Sequence, residues 1–146
     1  MPEVSFYVLP SQSAQERYLF ACKLIEKAYR SGHFCYVLTD TPEQSQIMDD
    51  LLWTFRAGSF IPHQIYTGVE PDYENTILIG SRSAPENWQK TLINLAAQCP
   101  HDFQQADRIL EILDNNEEIK AVGRDRYRRY QQSGIKINTH KIGLER

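Results

Sequence analysis

The sequence predicts an α/β fold: a single three-layer domain with a mainly parallel sheet and a basic helix near the C-terminus. Three observations carry this expectation. Apolar runs suited to strands alternate with amphipathic helical patterns along the first half of the chain, in the order that right-handed parallel crossovers require. The chain has 146 residues, about one domain's worth. Apolar residues make up 41% of it, with six Phe, two Trp and eight Tyr, enough to fill a core.

Each element has its own local reason. Residues 5–9 (Ser-Phe-Tyr-Val-Leu) are strand formers stopped by Pro10, and Ser11 and Ser13 then offer N-caps to a helix. Over residues 14–30, Leu19, Cys22, Ile25, Ala28 and Tyr29 recur at helical intervals, and Tyr18, Phe20 and Leu24 widen the stripe before Gly32 ends it. Residues 34–38 (Phe-Cys-Tyr-Val-Leu) are almost wholly apolar, the mark of a strand covered on both faces. Thr39-Asp40-Thr41-Pro42 then supplies a cap and a proline suited to a helix start. That helix is expected to reach about Thr54, with Ile47, Met48, Leu51, Leu52 and Phe55 at helical spacing and Trp53 turned to another face.

Residues 59–63 (Ser-Phe-Ile-Pro-His) contain a proline that bars a central strand, so they read as a loop or a sheet edge. Residues 76–80 read as a strand, as do 91–95 and 108–113, although the last could instead be a helical turn extended from Phe103. Asn115 or Asn116 caps a final helix that carries Glu117 and Glu118 in its first turn and ends by Ser133-Gly134. The segment after Gly134 reads as a short polar tail. The alternating order makes the expected sheet Rossmann-like.

The chemistry that such sheets often host is missing. The first strand-to-helix connection, Leu9-Pro10-Ser11-Gln12-Ser13, has no glycine to let the backbone approach a pyrophosphate, and neither a P-loop pattern nor GxGxxG occurs. Gly80-Ser81-Arg82-Ser83 reads as a polar turn rather than an anion site. No GxSxG elbow accompanies His33, His63, His101 and His140, which read as structural or solvated. Asp49-Asp50 and Glu117-Glu118 are helix neighbours that do not face one another, and both pairs read as solvated. Cys22, Cys35 and Cys99, odd in number and without zinc-ligand spacing, read as reduced thiols. No catalytic residue, cofactor or metal is therefore expected. No run approaches the roughly 18 apolar residues of a membrane span, and the N-terminus lacks a signal-peptide pattern, so the expected location is the cytoplasm.

Charge is unevenly placed. Residues 1–119 hold 8 Lys and Arg against 17 Asp and Glu, a net −9, whereas residues 120–146 hold 8 against 2, a net +6. This argues against a duplex-DNA binder, whose positive field would dominate, and suits a local dock for something acidic. In the last helix Lys120, Arg124 and Arg128 recur at i, i+4 and i+8 with Tyr127 beside them, while Ile119, Val122 and Tyr130 fall on the face turned to the sheet. Arg126 projects near that packed face, as a structural ion-pair partner would. The stripe suits an acidic peptide whose carboxylates meet the cations and whose apolar side chain meets Tyr127; a plain solvated helix face is the competing reading. Gly123, Lys136, Asn138 and Thr139 could add close approach and polar contacts. A second cluster runs from Leu52-Trp53-Thr54-Phe55 to Phe60-Ile61-Pro62-His63, where large apolar groups enter an irregular segment and suit either an interface anchor or core.

At these residues the sequence resembles the chi subunit family of the bacterial DNA polymerase III holoenzyme. The resemblance rests on FYVL in the first strand, AYRSGHFCYVLTD, LLWTFRAGSFIPH and IKAVGRDRYRRYQQSGIKINTHKI, in order along nearly the whole chain, with residues 64–89 matching least. It implies a noncatalytic replication subunit of the bacterial cytoplasm that bridges the clamp loader to single-stranded DNA-binding protein. One surface would bind the psi subunit, or a helicase competing for the same place. Another would take the acidic C-terminal tail of the single-stranded DNA-binding protein, which ends in an aromatic residue and a free carboxylate. Carried over by position, Lys120, Arg124, Tyr127, Arg128 and Thr139 form the tail site, with Arg124 on the terminal carboxylate and Gly134 at the rim. By the same carry-over, Trp53, Phe60, Ile61, Pro62 and His63 form the psi surface. Association with single-stranded DNA would then be indirect; the alternative is a module that binds single-stranded nucleic acid itself, through the Arg and Tyr of the last helix.

Overall fold

The computed structural model describes residues 2–72, 75–101 and 103–143. In chain order the elements are β1 (Glu3–Val8), α1 (Ala14–Arg30), β2 (Tyr36–Leu38), α2 (Pro42–Thr54), β3 (His63–Ile65), β4 (Ile77–Gly80), β5 (Thr91–Asn94), β6 (Arg108–Leu113), α3 (Glu117–Gln132) and β7 (Lys136–Lys141). The strands pair in the order β3-β4-β2-β5-β6-β1-β7, and every pairing is parallel. No helix among the described residues is long and apolar enough to cross a membrane.

The helices start where short polar side chains replace missing backbone partners. The Ser13 hydroxyl accepts from the Glu16 amide at 3.2 Å, Thr41 from Gln44 at 3.1 Å, and the Asn116 side chain from Glu118 and Ile119 at 2.9 and 3.2 Å. Past the ends of α1 and α3, Gly32 and Gly134 adopt φ of 84° and 75°, a left-handed conformation that few other residues take without strain.

Strand alternation divides the core into two layers. Ala21, Cys22 and Ile25 of α1 and Met48 and Leu52 of α2 pack with Val37, Ile77, Ile79, Ile93, Leu110 and Ile112 on one face. On the other, Tyr130 of α3 packs with Val4, Phe6, Tyr36, Leu78, Leu92, Ile109 and Leu113 around Trp88 and Phe103. Burial pushes the Cys22 and Cys35 thiols up to about 12, as expected of inert packing groups.

Several expectations need correcting. Residues 136–141 are not a bare polar tail: they form β7, parallel to β1, with Lys136 opposite Glu3 and Lys141 opposite Val8. Asp49 is not simply solvated, because its Oδ1 lies 3.4 Å from His63 Nε2 and its side chain is 20% exposed. The helical alternative for residues 108–113 does not form; one short 3-10 turn over Phe103–Gln105 ends before the strand begins. The first strand starts at Glu3 rather than Ser5, and β2 begins only at Tyr36.

Candidate functional site

The site on α3 begins with a charge buried under it. Glu111 of β6 is fully buried on the α3 face, and its carboxylate accepts from Arg126 Nε at 2.9 Å, Tyr130 Oη at 2.6 Å and Asn94 Nδ2 at 2.9 Å. Arg126 also donates to the Ala97 carbonyl at 2.9 Å. Burial raises the Glu111 pKa against the lowering by Arg126, Asn94 and Tyr130. Two residues of α3 are thereby fixed on one strand, which confirms Arg126 as a structural ion-pair partner and sets the helix's rotation. The sequence signal was a lone carboxylate inside Ile-Leu-Glu-Ile-Leu.

That rotation leaves an apolar pocket of about 290 Å³ between α3 and the sheet, lined by Phe6, Val8, Leu113, Gly123, Arg124, Tyr127, Arg128 and Thr139. Its floor is apolar because β1 and β6 turn Phe6, Val8 and Leu113 toward the helix. Tyr127 leans on Phe6, with ring centroids 5.5 Å apart, so its ring is held as a wall while its edge stays open to solvent. Four of the five expected tail-site residues, Arg124, Tyr127, Arg128 and Thr139, thus come together. Lys120 stands one turn earlier, with Nζ 3.1 Å from Asn115 Oδ1 and 3.4 Å from Glu117 Oε2. Gly134 lies at the far end of the helix, outside the pocket.

The cations differ in how committed they are. Arg128 is paired with Asp125 one turn back, both well exposed. Arg124 is exposed and has no ion-pair or hydrogen-bond partner among the described residues. A guanidinium at an apolar pocket with nothing to neutralise it is suited to a carboxylate attached to an apolar group. Sequence reasoning missed the pocket's floor, since Phe6, Val8 and Leu113 read only as strand core.

The second cluster separates into surface and support. Phe60 is 82% exposed and Trp53 62% exposed, with Pro62 exposed beside them. Ile61 is buried, and the His63 ring is covered: Nδ1 lies 2.7 Å from the Ile61 carbonyl, Nε2 lies 3.2 Å from the Asp49 carbonyl, and the Trp53 ring sits 4.7 Å away. Behind Phe60, the buried Ser59 hydroxyl donates to Glu26 Oε2 at 3.0 Å and Arg56 Nε lies 3.2 Å from Glu26 Oε1. The segment is therefore braced, and Phe60 points outward from a fixed base.

The family model for the DNA polymerase III chi subunit, HolC, matches residues 1–138. The chain belongs to the DNA polymerase III chi subunit family. It is similar to the DNA polymerase III subunit chi of Pseudomonas aeruginosa, at 33% identity over 142 residues, 97% of this chain and 98% of that one. It is also similar to the chi subunits of Haemophilus influenzae, at 26% identity over 94% of this chain and 96% of the relative, and Escherichia coli, at 23% over 95% and 97%. A chi-family chain is a noncatalytic accessory subunit of the replicative polymerase holoenzyme. Among the described residues no cluster of three or more His, Cys, Asp or Glu could hold a metal ion. For a chi subunit, the α3 pocket and the Trp53–Phe60 surface are the features that require a function.

Proposed function

We propose that this chain bridges the clamp loader to single-stranded DNA-binding protein: it docks the acidic tail of that protein in the α3 pocket and the psi subunit on the Trp53–Phe60 surface. The observation that carries the reading is the placement of the two surfaces at opposite edges of the sheet. The pocket abuts β7 and the aromatic surface abuts β3, the two terminal strands. Six strand spacings, about 29 Å, separate those two strands, so the two surfaces occupy different ends of the sheet.

The pocket chemistry matches a peptide that ends in an aromatic residue. The ring enters between Tyr127, Phe6 and Leu113; the terminal carboxylate meets Arg124; upstream carboxylates meet Arg128 and Lys120. Such exposed pairs are screened over roughly 10 Å at 0.1 M salt, so one tail binds weakly. Strength comes from several tails presented on one DNA-bound filament.

Calorimetric titration with a peptide copying the tail tests this. Binding that falls with salt and is abolished by Arg124→Ala, in a protein with unchanged melting temperature, supports the tail site. A peptide that does not bind, alongside bare single-stranded DNA that does at moderate salt, would replace this reading with direct nucleic-acid binding. Loss of psi, but not of the tail peptide, in Phe60→Ala supports the second surface.

A further inference from the structure

We infer that the free edge of β7 takes the extended part of the acidic peptide as an eighth strand. This deepens the tail-docking reading and rests on it.

Among the described residues β7 pairs on one side only, with β1. The Ile142 amide donates to the Val8 carbonyl at 2.9 Å, which fixes the phase of the ladder. In a parallel pair, alternate residues turn both backbone groups to the same neighbour, so residues 136, 138, 140 and 142 face β1. Ile137, Thr139 and Lys141 therefore turn their N–H and C=O groups to the open side. Thr139 does two things at once: its side chain lines the pocket and its backbone lies on the free edge.

The two edges of the sheet are built differently. β3 has three residues and follows Pro62, which is how an edge is made poor for pairing. β7 has six residues in unbroken register, with neither proline nor bulge. Lysines on an edge can themselves discourage pairing with another chain, but they favour one that carries carboxylates. Lys141 lies on the same face as Thr139 by alternation and has no ion-pair partner among the described residues; Lys136 leans on Glu3 at 3.8 Å. With Arg124 and Arg128 across the groove, an acidic strand laid on this edge meets cations on two sides, and its last residue turns over Thr139 into the pocket.

The test uses the full chain and two synthetic tail peptides. Each is N-methylated at alternate residues upstream of the last one, the two sets being out of phase. A methyl group removes a backbone donor without changing charge, so one phase blocks the bonds to β7 and the other blocks only bonds to water. One peptide should bind about tenfold more weakly than the other, and the unmodified peptide should slow hydrogen exchange at the Ile137, Thr139 and Lys141 amides. Equal affinities for the two phases with no such protection, while Arg124→Ala still abolishes binding, would overturn edge pairing and leave the pocket reading standing. Failure of the unmodified peptide to bind at all would overturn both.

Discussion

Gly123 of α3 sits directly on Leu113 of β6: a Cβ at Gly123 would lie 2.7 Å from both Leu113 methyl carbons. The absence of a side chain lets the helix approach the sheet, and the same Leu113 forms part of the pocket floor.

Gly123→Ala therefore sets two effects against each other. Alanine gains about 1 kcal/mol in helix propensity, whereas overpacking costs about 1–3 kcal/mol. Leu113 can relieve the clash only by turning, and the adjacent free space is the pocket. The expected outcome is a melting temperature within a few degrees of wild type and a weaker tail-peptide affinity, with Leu113→Val in the same chain restoring part of it. Calorimetry on the single and double variants checks this; an unchanged affinity in Gly123→Ala would mean that Leu113 does not bound the occupied space.

The Glu111 network makes a graded stability prediction. Tyr130→Phe removes one donor from a carboxylate that keeps two others, a loss of about 1–2 kcal/mol. Arg126→Ala leaves the buried charge without its counter-ion and should cost about 3–5 kcal/mol. Urea denaturation should rank Arg126→Ala well below Tyr130→Phe, and equal losses would show that Arg126 is not the charge partner the geometry makes it.

How much of the fold was legible in the sequence depends on which signals are local. The three helices announce themselves through caps and an apolar period, and the central strands through apolar runs, because both patterns arise within one short segment. β7 is not legible in this way. Lys-Ile-Asn-Thr-His-Lys is polar because one edge and much of both faces meet solvent, and its partner β1 is at the other end of the chain. The pocket was half legible: helical spacing gathers Arg124, Tyr127 and Arg128, but the floor depends on the register of β1 and β6 beneath them. Spacing likewise could not tell exposed Phe60 from its buried neighbour Ile61.

Acid should weaken the bracing behind Phe60. Burial alone would raise the Glu26 pKa, but the Ser59 hydrogen bond and the Arg30 and Arg56 cations outweigh it and hold the carboxyl below its ordinary value. A folded value below the unfolded one means that the unfolded chain binds more protons in acid. The stabilisation is fully present above the ordinary carboxylate range and is lost as pH falls through the folded value. Glu26→Gln should thus melt below wild type at pH 7, with the gap closing toward pH 3; melts of both proteins across that span check it, and a constant gap would assign the loss to packing alone.

Two adjacent residues separate interface from core at the other edge of the sheet. Phe60 is 82% exposed and Ile61 is 5% exposed, although both are large and apolar. Truncating an exposed ring removes little from the folded state, so Phe60→Ala should change stability by less than about 0.5 kcal/mol. If the ring anchors psi, the same change should cost about 2–4 kcal/mol of binding, as a central aromatic contact does. Ile61→Ala should reverse the pattern, losing about 2–5 kcal/mol of stability through the cavity it leaves, with any loss of psi following from unfolding. Thermal melts beside titration with psi measure both quantities on both variants. A Phe60→Ala protein that binds psi normally would move the partner surface elsewhere, because the ring most exposed in this segment would then contribute nothing to association.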